Sequence, residues 1–580
     1  MFFCRFFRGI LTLFLARVWA LSLGLSGPSL IEVELWQAGG HSLSFSLFWD
    51  GIACLFLITV SLITLRVRAF RYSYIFGSDG FSKFHLTLFV FVLSIIRLIL
   101  SPNLIRIILG WDGLGVSSFF LVIFYKRAKA HAAGLLTALS NRVGDALILI
   151  CLIIILVEPS SSFFLFSHQA LVSPTLCGII LLIATFTKRA QAPFRAWLPA
   201  AMAAPTPVSS LVHSSTLVTA GVYVILRLGP ALERPTVFLI AGAVGALTII
   251  IARLSAFLEA DLKKIVALST LRQLGVMVTA AGLNSFKIVF FHLVAHAFFK
   301  ALLFIATGVA IYSLNDYQDL RRAGAMAGPL KTSKAIIVLA KVRLCGIPFF
   351  SGFYSKEIVL ETLAAGTPRS LVTYLIIWGG VFCTGLYSLR FCFYLLCQSS
   401  SASALRFSSD NDMNNLVALA LLGGIAATRG KALFFILREG LRAPTVGPIS
   451  KASTITLLLA GAPIVFWRVK LQASTGHAKT ASYMWLAPFW RGALPLISQG
   501  SFNHQLFWLG RLRAQDARLF AWLEKTTQTV NRVFFSNSSA FFKLILVALF
   551  LLFALRLGIY LRILSSLKIQ NFKWSHPYVN

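Results

Sequence analysis

Apolar runs long enough to cross a lipid bilayer recur along almost the whole chain, and they constrain the fold more than any other feature. Of the 580 residues, 58% are hydrophobic and only 12% are charged. A transmembrane helix needs about 20 apolar residues, and the sequence contains roughly 14 to 16 such runs. Because a chain of this composition cannot hide its apolar surface from water, the sequence predicts an all-α polytopic membrane protein.

The strong positive charge points to lipid rather than to nucleic acid. The formal net charge is +34, but the basic residues fall largely in short connections between apolar runs. They form three clusters: Arg66, Arg68 and Arg71; Lys126, Arg127 and Lys129; and Arg321, Arg322, Lys331 and Lys334. Such clusters orient membrane helices and contact anionic lipids such as cardiolipin, so membrane lipids are the predicted partners of these clusters and nucleic acid is not.

No redox or nucleotide site is recognisable in the sequence. The eight cysteines are scattered without C-x-x-C or ferredoxin-like spacing, which argues against iron–sulfur or structural zinc ligation. The segment GIAATRGK, ending at Lys431, has one residue too many between its glycines for a phosphate-binding loop, and Ala432 replaces the required Ser or Thr. We therefore expect no cofactor in this chain.

The amino-terminal segment is expected to be a retained first helix. MFFCRFFRGILTLFLARVWALSLG lacks an obvious cleavage site, and it is not an Arg/Ser-rich transit peptide. Synthesis inside an organelle, or direct membrane insertion, fits this pattern better. The second apolar run, Phe45 to Leu65, opens with Asp50, which is expected to cap a helix start near a membrane interface.

The stretch from Thr185 to Arg227 is mostly apolar, yet it is interrupted and charged. Pro205 and Pro207 lie in its middle, and proline breaks or kinks a helix. Before its last residue, Arg227, the stretch also carries four basic side chains: Lys188, Arg189, Arg195 and His213. Broken helices and ionisable groups at membrane depth are tolerated where they line a cavity or an ion path. This stretch therefore predicts a buried path for an ion or a proton.

Carboxylates occur in the apolar runs before this stretch. Asp112 lies within GWDGLGVSSFF, where a carboxylate without a partner would take up a proton, so it indicates either a proton-carrying site or a buried ion pair. Arg142 and Asp145 lie three residues apart in NRVGDALILICLIIILV. The simplest interpretation is a structural ion pair at a helix end.

Two later helices carry titratable groups in their apolar runs. Lys263 and Lys264 open EADLKKIVALSTLRQLGVMVTAAG, and adjacent side chains point about 100° apart, so at most one easily faces a given cavity. In FKIVFFHLVAHAFFKALLF, His292, His296 and Lys300 recur every four residues and share one helix face. A zinc site would need further ligands, and a proton relay is favoured over isolated core histidines.

A second interrupted run follows at Ala335 to Leu360. Pro348 lies there between two glycines, and Lys356 follows eight residues after the proline. A second broken span with a buried lysine suggests an internal inverted repeat.

These motifs resemble a known family. KRAQAPFRAWLPAAMAAPTPVSSLVHSSTLVTAGVY and GIPFFSGFYSKE are similar to the antiporter-like membrane subunits of respiratory NADH:ubiquinone oxidoreductase (complex I) and of Mrp-type antiporters. HAFFKALLF resembles the largest of these subunits most closely. Five positions depart from the family pattern: Arg189, Arg195, Asp112 where Glu is more frequent, Arg272 where a small polar residue is usual, and Glu357 where Asp is usual.

The resemblance implies a domain organisation. It predicts amino-terminal helices in 1–100, a first half-channel repeat in 101–285 and a second, inverted five-helix repeat in 286–400. Further helices and a polar connection would occupy 401–500, a lateral amphipathic helix 501–540 and a final anchor helix 541–580. The amphipathic stripe from Leu512 to Phe534 supports the lateral helix.

The resemblance also implies a function. Protons would cross the mitochondrial inner membrane along a path of nine residues: Asp112, Lys188, His213, Lys263, Lys264, His292, His296, Lys300 and Lys356. The energy would come from NADH oxidation and ubiquinone reduction in other subunits, which would hold the NADH, FMN, iron–sulfur and ubiquinone sites. Other complex I subunits, above all the sister antiporter-like chains, would be partners. Two alternatives stay open, an Mrp-type Na⁺/H⁺ antiporter subunit and an anchor with an inactive channel.

Overall fold

The computed structural model describes most of the chain up to residue 396. The described residues are 29–38, 41–75, 80–157, 174–229, 234–314, 316–323, 331–347, 350–364 and 368–396, with a few positions between 419 and 463. The predicted first helix, the lateral helix 501–540 and the anchor 541–580 lie outside them, as does Pro348.

Fourteen α-helices follow one another in the described residues. The first seven are α1 (Gly51–Ile75), α2 (Phe81–Ile99), α3 (Leu104–Val122), α4 (Ala128–Val157), α5 (Pro174–Lys188), α6 (Trp197–Ala200) and α7 (Thr206–Leu211). The others are α8 (Leu217–Leu228), α9 (Pro235–Leu258), α10 (Leu262–Ala281), α11 (Phe286–Ser313), α12 (Lys331–Cys345), α13 (Ser351–Ala364) and α14 (Pro368–Leu396).

Eight segments of the described part are long and apolar enough to cross a membrane. Helices α5, α12 and α13 are shorter, with 15, 15 and 14 residues, because each begins or ends at an interruption within apolar sequence. The prediction of a polytopic, all-α membrane protein is confirmed. The inverted five-helix repeats remain a prediction.

A two-stranded antiparallel hairpin precedes α1. Strand β1 (Ser29–Ala38) pairs with β2 (His41–Trp49), with Ser29 opposite Trp49 and Ala38 opposite His41. The expected helical run from Phe45 to Leu65 is therefore wrong at its start, since the helix begins only at Gly51. The physical reason is the alternation in HSLSFSLFW, whose period of two favours a strand.

Helix α11 lies at the centre of the described bundle. Its apolar span is entirely buried, whereas the span formed by α4 exposes apolar side chains such as Leu135, Leu139 and Ile153. Helices α9 and α10 pack closely through facing glycines, because a Cβ added at Gly275 would lie 3.0 Å from the Gly245 carbonyl oxygen. Small residues at such contacts let membrane helices approach each other without a hydrophobic driving force.

Consecutive spans alternate in direction, so the bundle has two ends. We call one end the basic face: it holds the ends of α1, α3 and α11 and the starts of α4, α10 and α12. At the opposite end, the Arg227 guanidinium binds both carboxylate oxygens of Asp50 at 2.6 Å, which joins the end of α8 to the start of α1. The Asp50 carboxylate also accepts a hydrogen bond from the Ala53 amide at 2.8 Å, so its predicted capping role is observed.

The first basic cluster lies within a helix, whereas the sequence suggested a connection between helices. Arg66, Arg68 and Arg71 all belong to the last turns of α1, which runs on to Ile75. Arg71 is buried, and its guanidinium lies 4.4 Å from the centre of the Phe81 ring. A cation over an aromatic face is stabilised electrostatically, which explains how this charge is accommodated inside the bundle.

Candidate functional site

Lys188 is the last residue of α5 and is completely buried. Its ammonium group donates a hydrogen bond to the backbone carbonyl of Trp111 on α3, and it lies 4.1 Å from the centre of the Trp111 ring. A cation at the carboxyl end of a helix also interacts favourably with the helix dipole. The charge is therefore held by a carbonyl, an aromatic ring and a helix end.

Two carboxylates lie near this lysine and are bridged by an arginine. The same nitrogen of Arg142, Nη1, is 3.1 Å from Asp112 Oδ1 and 3.2 Å from Asp145 Oδ2. Lys188 interacts electrostatically with both carboxylates. The Arg142–Asp145 pair is thus formed, but in the middle of α4 rather than at a helix end, and it is shared with Asp112.

The bridge reaches the outer surface of the bundle. The side chain of Asp145 is only 9% exposed, that of Asp112 is 29% exposed, and that of Arg142 is 49% exposed. Of the two interpretations of Asp112, an ion pair is observed, but it is partly exposed rather than buried as predicted. A proton-carrying role for the same carboxylate stays a prediction.

The chain after Lys188 is fixed by polar contacts. Arg189 is buried, and its guanidinium donates to the hydroxyl of Thr185 at 2.9 Å. Gly221 on α8 makes room for this side chain, since an added Cβ would come within 2.7 Å of Arg189 Cγ. The Trp197 indole donates to the Thr187 carbonyl at 2.8 Å. This hydrogen bond joins α6 to the last turn of α5 across the interruption.

The predicted break at the prolines is present. The short 3₁₀ turn Ala201–Ala203 ends in extended backbone at Ala204, with ψ 159°, and a new helix, α7, starts after Pro205. In a continuous helix the Val208 amide would bond to the Ala204 carbonyl; here it bonds to the Pro205 carbonyl at 3.0 Å. The Ala204 carbonyl is left available for another donor.

His213 lies in a π-helical turn, Val212–Thr216, and is buried. Its ring is 6.1 Å from the Trp197 ring, and neither ring nitrogen has a hydrogen-bond partner among the described residues. The hydroxyls of Ser215 and Thr216 donate to the Leu211 carbonyl at 3.0 and 2.7 Å, so this carbonyl has hydrogen-bond partners in the widened turn. Such turns occur frequently at functional sites.

The structure separates the two adjacent lysines at the start of α10. Lys263 is buried and donates to the Ala204 carbonyl at 3.3 Å. Lys264 is partly exposed and pairs with Asp261 at 2.6 Å and with Glu259 at 3.8 Å. Because the two side chains point in different directions, only that of Lys263 lies among the buried groups. Lys264, predicted to be part of the path, lies outside them in a surface ion-pair group.

The three titratable groups of α11 are all completely buried, on one face as predicted. His292 Nε2 lies 3.2 Å from Gln273 Oε1, and the rings of His292 and His296 are 6.3 Å apart. Neither nitrogen of His296 has a hydrogen-bond partner among the described residues. Lys300 donates to the hydroxyl of Ser269 and, at 3.4 Å, to a carbonyl of α10.

Lys356 occupies the second interruption. It lies on α13, is buried, and donates to the carbonyl of Leu344 near the end of α12. Gly346 has φ +84°, a conformation that favours glycine, and a Cβ there would lie 3.3 Å from Lys356 Cδ. Lys188 and Lys356 therefore share one arrangement, a buried ammonium group bound to a backbone carbonyl of another helix beside an interruption.

Other buried residues were not singled out from the sequence. Lys341 is buried with its ammonium group 3.6 Å from the centre of the Phe391 ring, and its place inside AIIVLAKVRLC could have revealed it. Ser355 is the hydroxyl that contacts His292, at 3.0 Å. Arg272, noted in the sequence as a departure from the family pattern, is buried near Gly380 of α14, where an added Cβ would lie 3.6 Å from its Nη1, an ordinary contact distance.

Buried lysines at two helix interruptions, with a histidine-bearing helix between them, define an antiporter-like membrane protein. Residues 101–382 match the family model described as NADH:quinone oxidoreductase/Mrp antiporter, TM. The chain belongs to the family of NADH-ubiquinone oxidoreductase chain 5, the membership that its sequence predicts.

Two relatives illustrate this membership. The chain is 36% identical over 482 residues to NADH-ubiquinone oxidoreductase chain 5 of Lumbricus terrestris, and the match covers 80% of this chain and 82% of that protein. It is 38% identical over 412 residues to the corresponding chain of Anopheles gambiae, covering 70% of each.

Solved structures show the same fold. A chain of the Mrp complex from Dietzia sp. DQ12-45-1b superimposes with a TM-score of 0.68 at 23% identity, over 86% of this chain and 57% of that chain. The match thus spans somewhat more than half of the Mrp chain. A chain of the archaeal membrane-bound sulfane sulfur reductase gives a TM-score of 0.64 at 17% identity, over 78% of this chain and 89% of that chain.

Proposed function

We propose that this chain is a membrane subunit of an NADH–ubiquinone oxidoreductase and moves protons across the mitochondrial inner membrane. One observation carries the proposal: the Lys188 ammonium group is completely buried at a helix interruption and interacts with Asp112 and Asp145. Burial disfavours the charged form of a lysine, whereas a nearby carboxylate favours it. A small rearrangement of these groups can therefore load the lysine with a proton or empty it.

Arg142 is suited to control this step. Its Nη1 binds both carboxylates, and its side chain is half exposed, so it can move without disturbing the core. While Arg142 holds the two carboxylates, their charge is partly neutralised. When it withdraws, they are free to stabilise a charged Lys188. A neighbouring subunit that attracts or repels Arg142 could then drive the cycle.

The route onward is proposed to follow the buried groups of α7 to α13. His213 and Lys263 would continue the path from Lys188, and Lys300, His296 and His292 on α11 would carry it to Lys356. Their register on a single buried face and the His292–Ser355 contact beside Lys356 support this order. Lys264 is excluded from our proposed route because of its surface ion pairs.

The energy is proposed to come from partner subunits. Those subunits would bind NADH, FMN, iron–sulfur clusters and ubiquinone, while this chain would carry no cofactor and only convert their conformational changes into proton movement. The relatives are named as chains of a larger oxidoreductase, which supports assembly with other subunits, among them the sister antiporter-like chains. Cardiolipin is the proposed lipid at the exposed basic residues.

Native gels test the assembly directly. Membranes would be solubilised gently, the complexes separated, the gel stained for NADH oxidation, and each band searched for peptides of this chain. We expect the peptides in a very large NADH-oxidising band. Recovery only in a small band without that activity would contradict the proposal.

A substitution tests the mechanism. Lys188→Met removes the titratable group but keeps an unbranched side chain, so we expect an assembled complex that oxidises NADH with lower proton pumping. Lys287→Met is the control, because Lys287 is exposed on the first turn of α11 and belongs to none of the basic clusters. Loss of assembly alone would favour the inactive anchor.

Sodium–proton exchange is a second candidate, favoured by the likeness of the fold to a chain of an Mrp complex. In that case membranes containing the chain would exchange Na⁺ for H⁺ without NADH, and Lys188→Met would abolish the exchange. Proton pumping that needs NADH and is independent of Na⁺ would exclude this candidate.

A further inference from the structure

Lys341 is a buried lysine that the proposed proton route does not include. It lies on α12, between the basic face and the second interruption, and it is only 2% exposed. Its ammonium nitrogen has no hydrogen-bond partner among the described residues. A buried cation is costly unless its surroundings stabilise it, so the contacts of this side chain indicate what it does.

Two aromatic rings of α14 face this ammonium group. The Lys341 nitrogen lies 3.6 Å from the centre of the Phe391 ring and 5.8 Å from the centre of the Tyr387 ring. The two aromatic residues are four positions apart on α14 and are both buried, so they share one helix face. A cation is attracted to the face of an aromatic ring, and the attraction is stronger when water is excluded. The contact of Lys341 with Phe391 therefore holds α12 against α14.

A second contact joins the same two helices one turn further along. The Cys345 thiol lies 2.9 Å from the Ser388 hydroxyl, Sγ to Oγ. Cys345 follows Lys341 by four residues and Ser388 precedes Phe391 by three, so the antiparallel helices keep one register over both contacts. A thiol is a weak hydrogen-bond donor, so the contact of Lys341 with Phe391 is the stronger of the two.

The carbonyl that binds Lys356 lies between these two contacts. Leu344 follows Lys341 by three residues, and its carbonyl accepts a hydrogen bond from the Lys356 ammonium group. In a continuous helix this carbonyl would accept from the amide of residue 348. That residue is Pro348, which has no amide hydrogen. The position of the acceptor for Lys356 therefore depends on where the last turn of α12 is held.

The end of α12 also packs directly on α13, the helix that carries Lys356. A Cβ added at Gly352 would overlap the Arg343 carbonyl oxygen, so these two helices touch without a side chain between them. A Cβ added at Gly346 would lie 3.3 Å from Lys356 Cδ. Since packing at these glycines is so close, a small shift of α12 would move the Leu344 carbonyl relative to the lysine.

We propose that Lys341 is a positioning residue, whose contact with Phe391 clamps α12 to α14 and keeps the Leu344 carbonyl on Lys356. Lys341 keeps its own proton in this role, because the ring attracts only the charged form. Without the clamp, the last turn of α12 shifts and Lys356 loses the carbonyl that stabilises its ammonium group. The inference rests on the proposed function, in which Lys356 carries protons.

The test uses the assembled complex in proteoliposomes, with proton pumping measured per NADH oxidised. We expect Lys341→Met and Phe391→Leu each to lower this ratio, but no further than Lys356→Met, because the clamp acts through Lys356. Lys341→Arg and Phe391→Tyr should restore most of the ratio, since arginine and tyrosine form the same kind of contact. The combined Lys341→Met and Phe391→Leu variant should pump no less than either alone, because both remove one contact. Lys287→Met, at an exposed position on α11, is the control.

The outcomes separate this inference from the proposed function. If Lys188→Met lowers the pumping ratio but Lys341→Met or Phe391→Leu pumps normally, the clamp is wrong and the function stands. If Lys188→Met also pumps normally, the function itself is wrong. An assembled Lys341→Arg variant that pumps as poorly as Lys341→Met would show that Lys341 must release a proton, which overturns the clamp. Should Lys341→Met fail to assemble on native gels, Phe391→Leu and Phe391→Tyr decide, and equal pumping by both overturns the clamp.

Discussion

The imidazole of His292 and the hydroxyl of Ser355 lie 3.0 Å apart, Nδ1 to Oγ, across the contact between α11 and α13. Ser355 directly precedes Lys356, so one hydrogen bond joins the histidine helix to the second buried lysine. The other ring nitrogen of His292 faces Gln273 Oε1 at 3.2 Å. With a partner at each nitrogen, the ring is fixed in orientation, and any proton that leaves it must displace one of the two contacts.

Ser355→Ala should therefore interrupt proton transfer beside Lys356. We expect proton pumping per NADH to fall several-fold while the stability cost stays near 1 kcal/mol, the usual value of one hydrogen bond. Pumping in proteoliposomes and thermal melting of the complex measure the two effects. Ser313→Ala is the control, because in the described part of the chain the Ser313 hydroxyl donates only to the Ala310 carbonyl of its own helix, at 2.7 Å. Equal pumping by the two variants would contradict the prediction.

Arg142→Gln should disturb the first lysine site. The substitution releases Asp112 and Asp145 from a cation that binds both within 3.2 Å. The freed carboxylates then hold Lys188 in its charged form, so we expect slower pumping with NADH oxidation reduced in step. Arg234→Gln, at an exposed position before α9 and outside the basic clusters, should leave both rates unchanged. Faster pumping by Arg142→Gln would show that Arg142 does not control the carboxylates.

Gly221→Ala should destabilise the chain without altering its chemistry. The new methyl group would lie 2.7 Å from Arg189 Cγ and 3.2 Å from the Thr185 carbonyl oxygen, both buried. Overpacking of this kind costs about 1 to 3 kcal/mol, so we expect less assembled complex on native gels and a lower melting temperature. Gly242→Ala is the matched control, since nothing lies within 4 Å of a Cβ there. If both variants destabilise the complex, α8 and α9 do not tolerate an added methyl group in general, and the contact with Arg189 is not the cause.

Asp50→Asn should weaken the end of the bundle opposite the basic face. Asp50 accepts two bonds of 2.6 Å from Arg227, which also donates to the Tyr223 hydroxyl at 2.8 Å. Removing the negative charge leaves a mostly buried guanidinium without its counter-ion, at a cost of about 2 to 4 kcal/mol. Thermal melting of the purified complex measures this loss. Asp319→Asn, in the exposed pair with Arg321, should cost less than about 1 kcal/mol.

Much of the fold could be predicted from the sequence, because the bilayer imposes local rules. A run of about 20 apolar residues must be helical in lipid, and proline must interrupt it. The break at Pro205 is accordingly where the sequence placed it. The hairpin was not predicted, since β2 and the start of α1 form one apolar run, and only the alternation of HSLSFSLFW distinguishes the strand.

The candidate site was only partly predictable. The register of His292, His296 and Lys300 follows from helical periodicity, and the structure keeps all three buried on one face. The choice between Lys263 and Lys264 could not be made from sequence, because it depends on where the neighbouring helices lie. Lys341 and Ser355 were missed for the same reason, since their partners Phe391 and His292 are distant along the chain.

The sequence by itself determined the class of protein, the helical spans, the two interruptions and the residues able to carry a proton, because each depends on composition or on spacing along one helix. Only the tertiary structure decided that Arg142 binds both Asp112 and Asp145, and that Lys188 and Lys356 bond to carbonyls of other helices. A buried charge is stabilised by whatever dipoles and counter-ions surround it, and helix packing brings those together from positions far apart in the chain.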